Sequence, residues 1–107
     1  MHYLLLYDVV PDYVTRRQPL RAAHLTYAQP FVQRGELLLA GALADPVDQA
    51  VLLFQGQAPA VAEEFARGDP YVQAGLVVRW RVRPWITVAG PLAASPLAPG
   101  DVQHPGA

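Results

Sequence analysis

The seven-residue segment from Asp69 to Gly75 restricts the possible folds most, because it separates a helical pattern from a strand pattern. Asp69 can cap a helix by accepting hydrogen bonds from backbone N–H groups, and Pro70 suits the first helical position because its φ is already fixed. Gly75 can adopt the left-handed conformation that ends such a turn. We therefore predict one isolated helical turn, with the Asp69 carboxylate held at its N-terminus.

The order of the predicted elements around this turn defines a fold class. Four segments have the composition or the alternation of strands, namely residues 2–10, 36–44, 49–55 and 76–88. One helix is predicted to begin between Thr15 and Pro19 and to end at Gly35, and a second runs from Pro59 to Gly68. The order β-α-β-β-α-β is typical of the ferredoxin-like α+β fold, a four-stranded antiparallel sheet with both helices on one face.

The first helix carries three local signals. Thr15 and Gln18 have the spacing of a capping box, which favours a helix start in this region. Pro30 is expected to kink the helix or to end its regular part. The stripe predicted to face the sheet consists of Leu20, Ala23, His24, Tyr27 and Phe31.

The strands carry further signals. In the first strand, Tyr3, Leu5, Tyr7 and Val9 are predicted to share one face. Gly41 predicts a bulge or a close backbone approach. The last strand should place Leu76, Val78, Trp80 and Val82 on one face, and Val77, Arg79, Arg81 and Arg83 on the other. Pro84 and Trp85 should interrupt that strand. We predict a domain over residues 1–88 and a Pro/Ala/Gly-rich C-terminal tail over 89–107.

Composition bears on partners and location. Hydrophobic residues make up 52% of the chain and charged residues 16%, and the second and third strands are apolar on both faces. We therefore expect a homodimer formed through the uncovered sheet face, with a higher oligomer left open. The net charge of −1 argues against a nucleic-acid partner. No signal peptide and no membrane-spanning run are expected, which makes the cytoplasm the default location.

Two residues are candidates for chemistry. His24 is either a core histidine satisfied by backbone groups or a general acid/base, because imidazole titrates near neutral pH. Asp69 is either a pure helix cap or a cap that also orients His24, as a carboxylate can fix the tautomer of an imidazole. The two functions of Asp69 are compatible. We predict that these two side chains meet beside a pocket.

Other polar and aromatic residues are candidates for substrate binding. Arg21 lies one helical turn from His24 and either faces solvent or holds a substrate carboxylate. Tyr7 and Tyr27 are either core residues or place their hydroxyls at the pocket rim. Pro70 and Gly41 complete the predicted binding set. Arg79, Arg81 and Arg83 form a row with two possible interpretations. The row either faces solvent or an interface, or it attracts an anionic ligand.

The sequence offers no pattern for a cofactor or a metal, and we expect neither. His2, His24 and His104 are scattered, and no spacing resembles a ligand set. The chain has no cysteine, no Gly-rich phosphate loop, and a single serine, Ser95, in the predicted tail. Thiol and serine nucleophiles are therefore not expected.

Several segments together resemble the YciI-like (YCII-related domain) family, up to about Val88. The segments are Arg21-Ala-Ala-His-Leu25, Gly35-Glu-Leu-Leu-Leu-Ala-Gly41, Phe65-Ala-Arg-Gly-Asp-Pro-Tyr-Val-Gln-Ala-Gly-Leu76 and Trp80-Arg-Val-Arg-Pro-Trp85. The resemblance implies a dimeric α+β barrel, similar to that of muconolactone isomerases, with a site built from a helix-one His and the Asp of the Asp-Pro turn. Those residues correspond to His24 and Asp69. Pro30 and the Pro-rich tail depart from the family pattern.

Two functions remain open at this point. One is a small cofactor-independent enzyme in which His24 and Asp69 transfer a proton during elimination or isomerisation of a small cyclic or enolisable substrate. A characterised member of the family removes chloride from a hydroxylated aromatic ring, and this implies the reaction class by analogy alone. The other is a non-catalytic dimer that binds a small ligand or assists assembly.

Overall fold

The computed structural model describes residues 1–101, and residues 102–107 of the predicted tail lie outside the described residues. The elements are β1 (His2–Val9), α1 (Tyr13–Arg16), a 3-10 turn (Gln18–Leu20), α2 (Arg21–Gln33), β2 (Leu37–Ala42), β3 (Gln49–Gln55), α3 (Ala60–Gly68), α4 (Pro70–Gln73) and β4 (Val77–Trp85). The strands form one antiparallel sheet in the order β2-β3-β1-β4. The predicted ferredoxin-like α+β fold is confirmed. Within residues 1–101, no helix combines the length and the apolar character needed to cross a bilayer.

The core lies between the helices and one face of the sheet, which we call the inner face. The alternate residues of β1 predicted to share a face, Tyr3, Leu5, Tyr7 and Val9, are all buried there. Phe31 of α2 and Phe65 of α3 meet over this face with ring centroids 5.0 Å apart, and Phe54 of β3 lies 5.4 Å from Phe65. Such aromatic pairs stabilise a core beyond the area that they bury, so these rings fix the helices on the sheet.

The first helical region differs from the prediction. The long helix α2 begins at Arg21, after α1 and the 3-10 turn, and no side-chain hydrogen bond caps any of the three. Thr15 lies inside α1, so the predicted capping box is wrong. Pro19 lies within the 3-10 turn, where a missing N–H and a fixed φ are tolerated better than in a continuous α-helix.

One prediction about α2 fails at Ala23, and one of the two alternatives expected at Pro30 does not occur. Ala23 is exposed, whereas Phe31 of α2 is buried in the core and Tyr27 and Ala28 pack against it. Pro30 does not end the regular helix, which continues to Gln33. A proline this close to a helix end removes one backbone hydrogen bond from the last turns and leaves the rest of the ladder intact.

The last strand corrects two predictions. Pro84 and Trp85 belong to β4 instead of interrupting it. The strand lies at the edge of the sheet, where the missing N–H of a proline is tolerated. A register shift between Asp8 and Val9 places Val77 opposite Val9, buried, and leaves Val78 66% exposed, so their predicted faces are exchanged.

The bulge expected at Gly41 occurs elsewhere. The register of β2 against β3 shifts between Leu37 and Leu39, so the extra residue is Leu38. A Cβ atom at Gly41 would meet nothing within 4 Å. Gly41 is therefore in open space rather than in a close backbone approach.

The opposite face of the sheet, here the outer face, is covered in part by the chain itself. The backbone N–H groups of Ser95 and Leu97 bond the carbonyls of Thr87 and Val88, so the described part of the predicted tail makes hydrogen-bonded turns. Nδ1 of His2 lies 2.7 Å from Oγ1 of Thr87, and this segment buries His2 and Leu53 at one end of the face. Leu39, opposite Leu53 in the sheet, remains 65% exposed.

The arginine row of β4 lies on the outer face. Nε of Arg79 is 3.2 Å and Nη1 of Arg81 is 3.9 Å from Oδ2 of Asp8. A hydrogen bond from Gln49, together with these two arginines, lowers the pKa of Asp8. The pairs are exposed and contribute little to stability. They agree with the interpretation of this row as a solvated or interface face, since two of its three arginines are already paired with Asp8.

Candidate active site

The turn predicted from the sequence forms at the junction of α3 and α4. Oδ1 of Asp69 accepts a hydrogen bond from the backbone N–H of Tyr71 at 3.0 Å, and Pro70 occupies the first turn of α4. Gly75 has φ +79, a conformation that L side chains rarely adopt, and it ends the turn. Asp69 is fully buried, although a carboxylate is costly to bury without partners.

His24 supplies the second partner of this carboxylate. Its Nδ1 lies 2.8 Å from Oδ1 of Asp69, and 15% of its side chain is exposed. The helix α2 crosses the turn at this point because Phe31, two turns further on, is anchored in the core. The predicted meeting of the two side chains is therefore present in the structure.

Tyr7 of β1 completes the environment of Asp69. Its hydroxyl donates a hydrogen bond to Oδ2 at 2.7 Å. Burial, and then the neighbouring Asp69 charge, raise the pKa of Tyr7 far above its ordinary value, so the phenol stays a donor. The phenol and the N–H of Tyr71 both donate to Asp69, and an imidazole with a proton on Nδ1 can donate the third hydrogen bond. In that tautomer of the neutral ring, Nε2 carries the free lone pair.

Tyr71 holds the imidazole from its flat side. The two rings stack with centroids 3.9 Å apart and planes inclined by 4°. Tyr13 meets Tyr71 edge-on at 5.7 Å. Stacking and the Asp69 bond together restrict both the tilt and the rotation of the ring. Sequence analysis missed Tyr71 and Tyr13, and the only available signal was the position of Tyr71 beside Pro70 in the turn.

The cleft beside His24 has a volume of about 120 Å³. Its sheet side is lined by Ala40, Ala42 and Ala50, small residues that leave space where larger ones would fill it. The helix side is formed by α1, α2 and α4. The complete lining is Tyr7, Tyr13, Arg17, Arg21, His24, Leu25, Ala40, Gly41, Ala42, Ala50, Leu52 and Tyr71.

The predicted binding residues separate into two groups. Tyr7, Arg21 and Gly41 line the cleft. Tyr27 does not, because its hydroxyl donates to the carbonyl of Glu64 at 3.3 Å and its ring packs against Phe65. Pro70 also lies outside the lining and acts through the shape of the turn. Arg17, which does line the cleft, was missed in the sequence.

In the described residues, no three side chains of the His, Cys, Asp and Glu types come together in a group that could hold a metal ion. The polar residues that line the cleft are instead one histidine, His24, two arginines, Arg17 and Arg21, and three tyrosines, Tyr7, Tyr13 and Tyr71. This set can accept and donate protons, and it can bind an anion.

The fold and the site define a small α+β domain that holds a paired imidazole and carboxylate at the edge of a cleft. Residues 1–86 match the YCII-related domain, and the chain belongs to that family. No curated protein matches the chain in sequence.

Several chains of solved structures match this chain, and one of them is a named enzyme. It is 5-chloro-2-hydroxyhydroquinone dehydrochlorinase from Burkholderia phenoliruptrix AC1100 in complex with 2,5-dihydroxybenzoquinone. The TM-score is 0.67, with 21% sequence identity, over 81% of this chain and 95% of that chain. At this identity the likeness shows a shared fold.

Proposed function

We propose that this protein is a small enzyme that transfers a proton with His24, oriented by Asp69, during elimination or isomerisation of a small cyclic or enolisable substrate. The observation that carries the proposal is the 2.8 Å contact between Nδ1 of His24 and Oδ1 of Asp69 at the edge of a cleft. This contact leaves Nε2 as the basic nitrogen for a bound molecule.

The proposed step begins when Nε2 of His24 takes a proton from a carbon of the substrate. In an elimination, the electron pair of the broken C–H bond forms a double bond, and the leaving group departs with the electrons of its own bond. In an isomerisation, the electrons shift through an enolate, and the same imidazole returns the proton to a different atom. Asp69 stabilises the imidazolium that exists between these events.

Two further observations support the reaction class. The chain belongs to the YCII-related domain family. The structural neighbour is named as a dehydrochlorinase, an enzyme that catalyses an elimination. Its bound 2,5-dihydroxybenzoquinone is a single six-membered ring. The cleft of about 120 Å³ is similar in size to the cavity of about 150 Å³ known to hold benzene, so a single ring suits it.

Chloride release from 5-chloro-2-hydroxyhydroquinone and incorporation of solvent deuterium into cyclic ketones test the proposal. We expect the wild-type protein to catalyse one of these reactions, and His24→Gln to lose it. His2→Gln is the matched control, because His2 lies on the outer face and bonds Thr87. Equal rates for wild type and His24→Gln would contradict the proposal and favour a non-catalytic ligand-binding domain.

We further propose that two copies associate through the outer face of the sheet. The helices cover the inner face, and the C-terminal segment covers only the end of the outer face around His2 and Leu53. Leu39 and Val78 remain 65% and 66% exposed. A sheet face of this kind with exposed apolar residues is self-complementary under a two-fold axis, which favours a second copy as the partner.

A further inference from the structure

Two arginines that line the cleft take no part in the proposed proton transfer. Arg17 follows the last residue of α1, and Arg21 is the first residue of α2, four positions later. Both line the cleft that His24 lines. The two residues therefore border one space, although a 3-10 turn lies between them in the chain.

The side chain of Arg17 is held without a carboxylate. Its guanidinium carbon lies 5.2 Å from the centroid of the Tyr13 ring, and its Nε is buried without a hydrogen-bond partner. A buried donor that bonds nothing is unfavourable, so the guanidinium group of Arg17 has hydrogen-bonding capacity that the described residues do not satisfy.

The eight arginines of the chain differ in their partners, and within residues 1–101 Arg67 and Arg83 lack a carboxylate partner as well, although neither of them lines the cleft. Four of them have a carboxylate oxygen within 4.0 Å, namely Arg16, Arg34, Arg79 and Arg81. Neither Arg17 nor Arg21 has such a partner among residues 1–101. Asp69, the carboxylate that meets His24, is already bonded by Tyr7, His24 and Tyr71. The charges of the two arginines are therefore available to a ligand.

We propose that Arg17 and Arg21 form an oxyanion-binding subsite, so that the ligand of this cleft is a single-ring molecule with a carboxylate or a ring-bound phenolate or enolate oxygen. This inference rests on the proposed function for the position of the reacting carbon, which is near His24. A guanidinium group presents its N–H donors in a fork that matches the oxygens of a carboxylate, and the aromatic walls formed by Tyr13 and Tyr71 suit a flat ring.

The position of Arg21 also determines how far the bound oxyanion would lie from the base, His24. It precedes His24 by three positions on the same helix, about one turn. An oxyanion held by Arg21 would place the rest of a six-membered ring beside Nε2 of His24. The subsite would thus orient the ring so that one of its C–H bonds faces the base.

Binding measured by NMR tests the subsite without any turnover. Benzoate and 4-nitrophenolate are titrated into the full chain at constant ionic strength, beside their neutral counterparts benzamide and 4-nitroanisole. The signal followed is the Nε–Hε resonance of Arg17. We expect at least one of the two anions to shift that resonance and to bind about tenfold more tightly than its neutral counterpart, and the two anions separate a carboxylate site from a phenolate site.

Variants assign the effect to the two arginines. Arg17→Gln and Arg21→Gln should each weaken binding of the anion about tenfold and leave the neutral counterpart unchanged. Arg17→Lys keeps the charge and should recover only part of the affinity, because the fork is lost. Arg16→Gln is the matched control, as Arg16 pairs with Asp12 away from the cleft. Circular dichroism spectra confirm that each variant is folded.

Two results would overturn the subsite: anions that bind no better than their neutral counterparts, or affinity that survives in both Arg17→Gln and Arg21→Gln. His24→Gln separates this inference from the proposed function. If His24→Gln binds the anion normally and no substrate is turned over by the wild type, the subsite stands and the enzymatic proposal fails. If turnover is found and the anions bind no better than the neutral molecules, the enzymatic proposal stands and the subsite fails.

Discussion

Nδ1 of His24 lies 2.8 Å from Oδ1 of Asp69, although 45 positions separate the two residues along the chain. Three other groups hold this pair in place. The hydroxyl of Tyr7 and the backbone N–H of Tyr71 donate to the carboxylate, and the ring of Tyr71 stacks on the imidazole. A strand, a helix and a turn thus converge on one buried carboxylate. The geometry of the pair therefore depends on the packing of all three elements.

Replacing Asp69 with Asn should impair both stability and turnover. The amide cannot accept three hydrogen bonds as an ionised carboxylate does, and the cap, the phenol and the imidazole compete for one oxygen. We expect the free energy of unfolding in urea to fall by about 1–3 kcal/mol. We expect kcat for any substrate found to fall by about 10³–10⁴-fold, since the imidazole loses its preferred tautomer.

The matched control for this variant is Asp12→Asn. Asp12 is an exposed carboxylate that pairs with Arg16 at 3.8 Å, and its change should stay within about 0.5 kcal/mol. An Asp69→Asn protein with the stability and the kcat of the wild type would show that the carboxylate neither caps α4 nor orients His24.

Replacing Tyr7 with Phe should destabilise the protein near neutral pH. The substitution keeps the ring in the core and removes the one donor to Oδ2 of Asp69, which is then buried without a partner. A buried acceptor left in this way costs about 1–3 kcal/mol. Urea denaturation of Tyr7→Phe measures the loss, and Tyr3→Phe serves as a control on the same strand. Equal losses in the two variants would rule out a special contribution of the Asp69 bond.

The same substitution should change the dependence of stability on alkaline pH. Burial and the Asp69 charge raise the pKa of Tyr7 above its ordinary value of 10.0. Above that pH the unfolded chain releases the phenolic proton and the folded chain keeps it, so the unfolded state binds fewer protons and stability falls as the pH rises.

Each such tyrosine contributes a slope of up to about 1.4 kcal/mol per pH unit above pH 10. Burial also raises the pKa of Tyr13, Tyr27 and Tyr71, so part of the slope remains in Tyr7→Phe. We expect the loss of stability between about pH 8 and pH 11 to be smaller in Tyr7→Phe than in the wild type. Identical losses in the two proteins would mean that Tyr7 ionises as readily in the folded chain as in the unfolded one.

Local chemistry explains what the sequence could predict of this site. Asp69, Pro70 and Gly75 define a capped turn by residue type alone, and His24 falls on a helical stripe with Tyr27 and Phe31. The alternation in β1 likewise defined the inner face. These signals depend on residues that are close together in the chain, so they can be recognised without knowledge of the tertiary fold.

The features that were missed depend on register and on packing. The exchange of Val77 and Val78 follows from a bulge that only the pairing of β1 with β4 defines. The cleft exists because Ala40, Ala42 and Ala50 meet on one side of the β2–β3 pair. Arg17 also lines that cleft, from the residue that precedes the 3-10 turn containing Pro19. None of these relationships is visible in spacing along a single segment.

A glycine near the site offers a direct test of the packing. A Cβ atom at Gly68 would collide with the phenol of Tyr27, and the neighbouring Phe65 leaves that ring little room to move. Gly68→Ala should therefore lower the free energy of unfolding by about 1–3 kcal/mol, as overpacking does. In Gly41→Ala the new Cβ meets nothing within 4 Å, and stability should change by less than about 1 kcal/mol. Chemical denaturation that ranks the two variants in the opposite order would disprove this account of the α2–α3 contact.

The proposed dimer can be tested on the outer face. Leu39 is 65% exposed and lies opposite Leu53 in the sheet, beyond the part of the face that the C-terminal segment covers. A charge at this position costs little in the monomer because the side chain already meets solvent, but burying it between two copies would be strongly unfavourable. Light scattering at micromolar concentration should give the mass of a dimer for the wild type and that of a monomer for Leu39→Glu. The control Leu92→Glu, also in an exposed position but on the C-terminal segment, should remain a dimer. A wild-type protein with the mass of one chain would contradict the proposed association, and a dimer that persists in Leu39→Glu would place the interface elsewhere.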